Sequence, residues 1–134
     1  MIIGIDPGSV RIGVAVADME TRFARPLEVI DVKTQDPVER IALLVTEHSA
    51  TLVVVGRPVH LSGEPGAAVD DSARLIDGLR ATLTIPVEEW DERLTTVIAE
   101  QGLRAGGAKK KGRRSVRDAI AAQVMLQGYL DANP

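Results

Sequence analysis

The chain has 134 residues, a length that suits one domain. Its 16 Lys and Arg are outnumbered by 19 Asp and Glu, which excludes the class of strongly basic proteins that bind polyanions over their whole surface. It has no Cys and 2 His, which excludes disulfides, thiolate zinc sites and cysteine nucleophiles and fits a reducing cytoplasm. No apolar run approaches the roughly 20 residues that cross a bilayer, so we expect a cytoplasmic protein that does not associate with membranes.

The first predicted element is a β-hairpin. Residues 2–6 and 11–17 are rich in β-branched residues and are joined by Pro-Gly-Ser-Val, a connection short enough to turn one strand back on the other. A third strand is predicted at 26–33, where the less regular alternation is typical of a sheet edge. The sheet should therefore begin antiparallel.

A helix and a buried strand follow. Asp36 to Glu39 form a capping box with Pro37 at the first helical position, and apolar residues at helical spacing extend the helix to about His48. The continuous apolar run 51–56 predicts a central strand, covered on both faces and parallel to the first strand.

The second half of the chain alternates helices and a strand. A helix is predicted near 67–81, a strand at 85–90, and two further helices at about 93–105 and 115–131. The whole order predicts an α/β fold, with a mixed sheet that starts as an antiparallel hairpin, continues with parallel strands and is flanked by helices.

Acidic residues from three elements are predicted to meet at one edge of this sheet. Asp6 ends the first strand, Asp91 and Glu92 follow the strand that ends at Trp90, and Asp118 lies in the first turn of the last helix. Turn formation and helix capping explain each acid taken alone. Ligands of open α/β sheets, however, bind outside the carboxyl ends of the strands, so the convergence favours a site.

The last helix should present its acid to the sheet. Asp118 shares a helix face with Ala122, Met125 and Tyr129, which predicts that it faces inward at one end of the packed stripe. The alanines beside it would let the helix lie close to the sheet.

Carboxylates that are brought close together raise each other's pKa values unless a multivalent cation neutralises them. Oxygen ligands without His or Cys indicate Mg²⁺ or Mn²⁺. We therefore expect Asp6, Asp91, Glu92 and Asp118 to supply the ligands of such a cofactor. A pair of these ions activates water and stabilises the leaving oxygen in phosphodiester cleavage.

Positive charge is concentrated just before Asp118. A glycine-rich segment carries most of it, and a solvated loop without a ligand is the alternative interpretation. Because the segment leads into the proposed metal site, we expect it to bind nucleic acid, mainly through phosphates since aromatic residues are few. The residues expected to make these contacts are Arg57, Lys109, Lys110, Lys111, Arg113, Arg114 and Arg117.

Four stretches, GIDPGSVRIGVAVAD, VVGRPVHLSGEPG, DERLTT and DAIAAQVMLQGYL, together resemble the YqgF family, also called RuvX. The resemblance implies one RNase H-like domain over 1–134, related to the RuvC resolvases, and a nuclease that processes the 5′ end of pre-16S ribosomal RNA. It implies Asp6, Glu92 (or its neighbour Asp91) and Asp118 as catalytic acids and Arg93 as a phosphate contact. Arg117 departs from the family pattern and would either bind substrate or compete for the carboxylate of Asp118.

Other functions stay open at this point. A nuclease for branched DNA, such as a Holliday junction, makes paired cuts and implies a symmetric homodimer, whereas an RNA nuclease is compatible with a monomer or a homodimer. A non-catalytic assembly factor would bind structured RNA, pre-rRNA or a ribosomal particle and cleave nothing. The opening hairpin also resembles the phosphate-binding turn of actin-like ATPases, but those enzymes pair two such domains and this chain has the length of one.

Overall fold

The structure, a computed structural model, describes the backbone of residues 1–57, 67–91 and 113–134, and the side chains of these residues except 67–70 and 113–117. The elements, in chain order, are β1 (Ile2–Asp6), β2 (Arg11–Ala17), β3 (Ala24–Asp31), α1 (Pro37–Glu47), β4 (Leu52–Arg57), α2 (Ala67–Thr82), β5 (Val87–Asp91) and α3 (Arg113–Ala132). The helix predicted at about 93–105 lies outside the described residues.

The five strands form one mixed sheet in the order β3-β2-β1-β4-β5. The chain enters through an antiparallel meander, in which β2 pairs with both β1 and β3. It then crosses to β4 and β5, which run parallel to β1 and to each other. This arrangement confirms the predicted hairpin start and the predicted parallel pairing of the apolar run with the first strand.

Alternation along the strands divides the core into two layers. Ile3 and Ile5 of β1 are fully buried against the side chains of α1 and α2. Ile2 belongs to the other layer, which α3 covers with apolar residues such as Met125 and Leu126. A residue of β1 with an even number therefore faces α3, and this parity decides where Asp6 points.

The structure shows the N-cap half of the predicted capping box, made by Asp36 at the start of α1. The Asp36 carboxylate accepts hydrogen bonds from the backbone N–H groups of Val38, at 3.0 Å, and Glu39, at 3.5 Å, and Pro37 occupies the first turn. These contacts satisfy two of the donors that a helix start leaves open.

The predicted range 26–33 for β3 is wrong by two residues at each end. The carboxylate of Asp31 accepts a hydrogen bond from the backbone of Lys33 at 2.9 Å, and this side-chain turn ends the strand there. At the other end, Ala24 already pairs with Ala17 of β2. β5 begins later than the predicted residue 85, at Val87 just after Pro86.

None of the helices in the described part of the chain has the length and apolar character needed to cross a membrane.

Candidate functional site

Asp6 is the last residue of β1 and faces α3. Its partner across the antiparallel ladder is Gly13 of β2. The preceding residue, Ile5, is buried in the layer of α1 and α2, so alternation turns the Asp6 side chain to the opposite layer. The acid thus stands at the carboxyl end of a central strand, the edge where the sequence predicts a site.

α3 lies unusually close to the sheet at this point. A Cβ atom on Gly13 would come within 2.0 Å of the carbonyl oxygen of Asp118 and 3.4 Å of the Cβ of Ala122. Further along, a Cβ on Gly4 would come within 2.8 Å of the Cβ of Leu126. Only glycine leaves room for this approach, and Gly13 is the residue paired with Asp6. The contact therefore brings the first turns of α3 over the end of β1.

The two carboxylates interact electrostatically. Burial and, to a smaller extent, the negative charge of Asp118 together raise the pKa of Asp6 to about 7. Both effects disfavour the ionised form of Asp6. A cation placed between the two groups would relieve both, because it offsets the lost hydration and the mutual repulsion.

Arg11 forms an ion pair with one of these acids, Asp118, and is not among the residues predicted for the site. Its Nε lies 3.2 Å from Oδ2 of Asp118, with the side chains 33% and 29% exposed. Arg11 begins β2 two residues before Gly13, so it shares the face that α3 covers. This spacing fixes the face of Arg11 but does not indicate its contact with Asp118, which depends on how α3 packs on the sheet.

Asp91 lies on the other face of the sheet. Val87 of β5 packs into the layer of α1 and α2, and Asp91 follows it at the even spacing that keeps a strand residue on the same side. Trp90 packs instead into the α3 layer, where its ring contacts that of Tyr129 at 5.7 Å between centroids. Asp91 and Asp6 are thus on opposite faces.

Arg57 ends β4 opposite Asp91 in the parallel ladder. Its guanidinium lies 3.2 Å from the carboxylate of Glu89, and both side chains are exposed. A phosphate group that bound Arg57 would displace this ion pair, which is weak in water.

The structure does not describe the side chains of the remaining predicted site residues. Within the described ranges, no group of three acidic or His side chains is arranged to hold a metal ion; Asp6 and Asp118 are the two acids brought together. The residues that lie outside the described side chains are Glu92, Arg93, Lys109, Lys110, Lys111, Arg113, Arg114 and Arg117.

Comparison with known sequences gives matches over nearly the whole chain. A family model described as "RuvX: Holliday junction resolvase" matches residues 1–132. A "Putative pre-16S rRNA nuclease" of Chloroflexus aggregans is 45% identical over 132 residues, which is 98% of this chain and 93% of the relative. A protein with the same description from Mycobacterium sp. (strain KMS) is 43% identical over 132 residues, covering 96% of this chain and 78% of the relative.

Solved structures share the fold at low sequence identity. "T. thermophilus RuvC in complex with Holliday junction substrate" has a TM-score of 0.63 at 18% identity, covering 98% of this chain and 94% of that one. The fowlpox virus resolvase bound to Holliday junction DNA has a TM-score of 0.54 at 12% identity, covering 98% and 97%. These likenesses confirm the predicted RuvC-like, RNase H-like fold.

Proposed function

The chain belongs to the RuvX family, and on that basis we propose that it is a metal-dependent nuclease that hydrolyses phosphodiester bonds in the 5′ region of pre-16S ribosomal RNA. The curated relatives described as pre-16S rRNA nucleases support the activity and the substrate. Such a substrate would place the protein in the bacterial cytoplasm. The single domain predicted over residues 1–134 would then be the catalytic unit.

The half-buried pair of Asp6 and Asp118 carries the metal-dependent part of the proposal. Two carboxylates, one of them desolvated and electrostatically coupled to the other, fit a hard divalent cation such as Mg²⁺ or Mn²⁺, which prefers oxygen ligands. Such an ion, when bound, polarises a phosphoryl oxygen and lowers the pKa of a water molecule. Asp6 fixes one ligand on a rigid central strand, and Asp118 supplies the second from the helix that Gly13 admits to the sheet.

We propose Glu92, and not Asp91, as the third acid. Asp91 stands on the face of α1 and α2, whereas Trp90 stands on the face of Asp6. Of the two neighbouring acids, Asp91 thus lies on the face away from Asp6, which favours Glu92 for the role. The matched pair of variants Glu92→Gln and Asp91→Asn separates the two acids: we expect Glu92→Gln to lose cleavage by at least about a hundredfold and Asp91→Asn to retain it. The reverse order of effects would refute the assignment.

The basic residues are proposed to bind RNA phosphates. They are Arg57, Arg93, Lys109, Lys110, Lys111, Arg113, Arg114 and Arg117. Contacts of this kind are electrostatic, so the affinity for RNA should fall steeply with salt concentration.

One experiment tests both the substrate and the role of the acids. The purified protein is incubated with a 5′ fragment of pre-16S rRNA or with a four-way DNA junction, in Mg²⁺, Mn²⁺ or EDTA. We expect RNA cleavage that EDTA abolishes and that Asp6→Asn lacks. Asp77→Asn, the same chemical change on the exposed face of α2, serves as the control and should cleave normally.

The DNA junction is included because the solved structures of the same fold contain Holliday junctions. Cleavage of the junction alone would replace RNA by branched DNA as the substrate and leave the metal nuclease intact. RNA binding that chelator does not affect, without cleavage of either substrate, would favour the assembly factor.

A further inference from the structure

Arg11 forms an ion pair with an acid that the proposed function assigns to the metal. Its Nε lies 3.2 Å from Oδ2 of Asp118. The guanidinium therefore takes a position beside this carboxylate, and neutralises a negative charge, that a bound cation would need. A guanidinium and a divalent ion compete for carboxylate oxygens, because both are held by the same negative charge.

The contact is longer than that of another partly buried ion pair among the described residues, Arg40 with Glu28. Arg40 grips the Glu28 carboxylate with two nitrogens, at 2.9 Å and 2.7 Å, and ties α1 to β3. The Arg11 contact of 3.2 Å is longer, and α3 is also held to the sheet by its apolar layer and by the hydrogen bond from the Ala24 N–H to the Gln127 side chain. Arg11 is therefore not required as a structural tether for this helix.

The position of Arg11 makes it accessible to a polyanion. It is the first residue of β2, directly after the hairpin connection, and its side chain is 33% exposed. It shares the face and the sheet edge of Asp6. The planar guanidinium matches a phosphate group as well as it matches a carboxylate.

We propose that Arg11 is an exchange residue of the nuclease site: it neutralises Asp118 while no metal is bound, and it binds the phosphate backbone of the RNA once the cation has taken over that carboxylate. The inference rests on the proposed function, because it assumes a metal at Asp6 and Asp118. Metal binding then raises the affinity for RNA, because it releases Arg11 to bind the phosphate. RNA binding raises the affinity for the metal in the same way.

Two measurements on Arg11→Gln move in opposite directions under this proposal. Mn²⁺ binding, followed by isothermal titration calorimetry without RNA, should tighten at least about threefold because a competing positive charge is gone. The KM for RNA in Mg²⁺ should rise about tenfold, and the slope of its logarithm against the logarithm of salt concentration should fall by about 1, the loss of one phosphate contact. General damage to the site would weaken both kinds of binding.

Two further variants complete the test. Arg25→Gln removes an exposed charge from edge strand β3. It should leave both the Mn²⁺ affinity and the KM for RNA unchanged. Arg11→Lys keeps the positive charge, so its Mn²⁺ affinity should equal that of the wild type, while its KM rises because the forked geometry is lost.

Unchanged or weaker Mn²⁺ binding in Arg11→Gln, or tighter binding in Arg11→Lys, would overturn the exchange. A wild-type protein that binds Mn²⁺ no better than Asp6→Asn would instead overturn the proposed function itself. The two failures are thus distinguished by the wild-type titration.

Discussion

The close approach of α3 to β2 leads to a sharp prediction for Gly13→Ala. The new Cβ would stand 2.0 Å from the carbonyl oxygen of Asp118, whereas Cβ atoms essentially never come within 3.0 Å of a neighbouring heavy atom. The obstacle is backbone, which cannot rotate away as a side chain does. The first turns of α3 must therefore move by about 1 Å, and Asp118 moves with them.

The expected cost has two parts. Overpacking of this kind lowers the free energy of unfolding by about 1–3 kcal/mol, which corresponds to a melting temperature lower by roughly 3–10 °C for a chain of this size. A shift of about 1 Å in a catalytic group can cost about a hundredfold in rate. We expect Gly13→Ala to show both effects, in thermal melts and in single-turnover cleavage of the pre-16S fragment.

Gly78→Ala is the matched control. A Cβ there would come within 2.9 Å of a methyl group of Val38, in the layer of α1 and α2, and a methyl group can move aside. This variant should keep the wild-type cleavage rate. Wild-type rate and stability in Gly13→Ala would refute the reasoning, because the helix would then not be held at the position that places Asp118.

Three further predictions concern stability. The free energy of unfolding of the metal-free protein should fall as the pH rises from about 4 to 7, because the folded state raises the pKa of Asp6 from 3.8 to about 7 and so keeps a proton that the unfolded chain releases. This loss of unfolding free energy is of the order of 4 kcal/mol. In urea titrations at several pH values, Asp6→Asn should show a much weaker dependence of the unfolding free energy on pH. The same pH dependence in both proteins would contradict the burial of this acid. Gln127→Ala should lower the free energy of unfolding by about 1–3 kcal/mol in the same titrations. The Gln127 amide accepts a hydrogen bond from the Ala24 N–H at 2.9 Å and donates one to the Arg22 carbonyl at 3.0 Å. An unchanged free energy would show that these bonds do not hold α3 to β3. Arg40→Ala should lower the free energy of unfolding by about 1 kcal/mol or less, because its carboxylate partner is partly exposed to water. It should leave the cleavage rate unchanged. A reduced rate would show that this distant ion pair affects the site.

The outline of the fold was accessible from the sequence because each element has a local signal. Asp36 and Pro37 mark the start of α1, and the apolar run of β4 marks a strand covered on both faces. The end of β3 depends on a turn at Asp31, whose carboxylate accepts from the Lys33 N–H and whose carbonyl accepts from the Thr34 and Gln35 N–H groups. A few local hydrogen bonds of this kind decide a boundary that the residue pattern does not reveal.

The site was accessible only in part. A strand that ends in an acid points to Asp6, and helical spacing turns Asp118 inward. The sequence predicts the close approach of α3 to the sheet from the alanines of this helix. The approach depends equally on Gly13 of β2, and this role becomes visible only when the helix is seen packed on the strand. The ion pair of Arg11 with Asp118 joins residues that are far apart in sequence, so no local pattern reveals it.

The most direct test of the central claim is a crystal of the protein soaked in Mn²⁺, with anomalous diffraction measured at the manganese edge. We predict a peak within coordination distance of the carboxylate oxygens of both Asp6 and Asp118, and no such peak in crystals of Asp6→Asn. A fully occupied manganese site elsewhere, with these two carboxylates free of metal, would contradict the account.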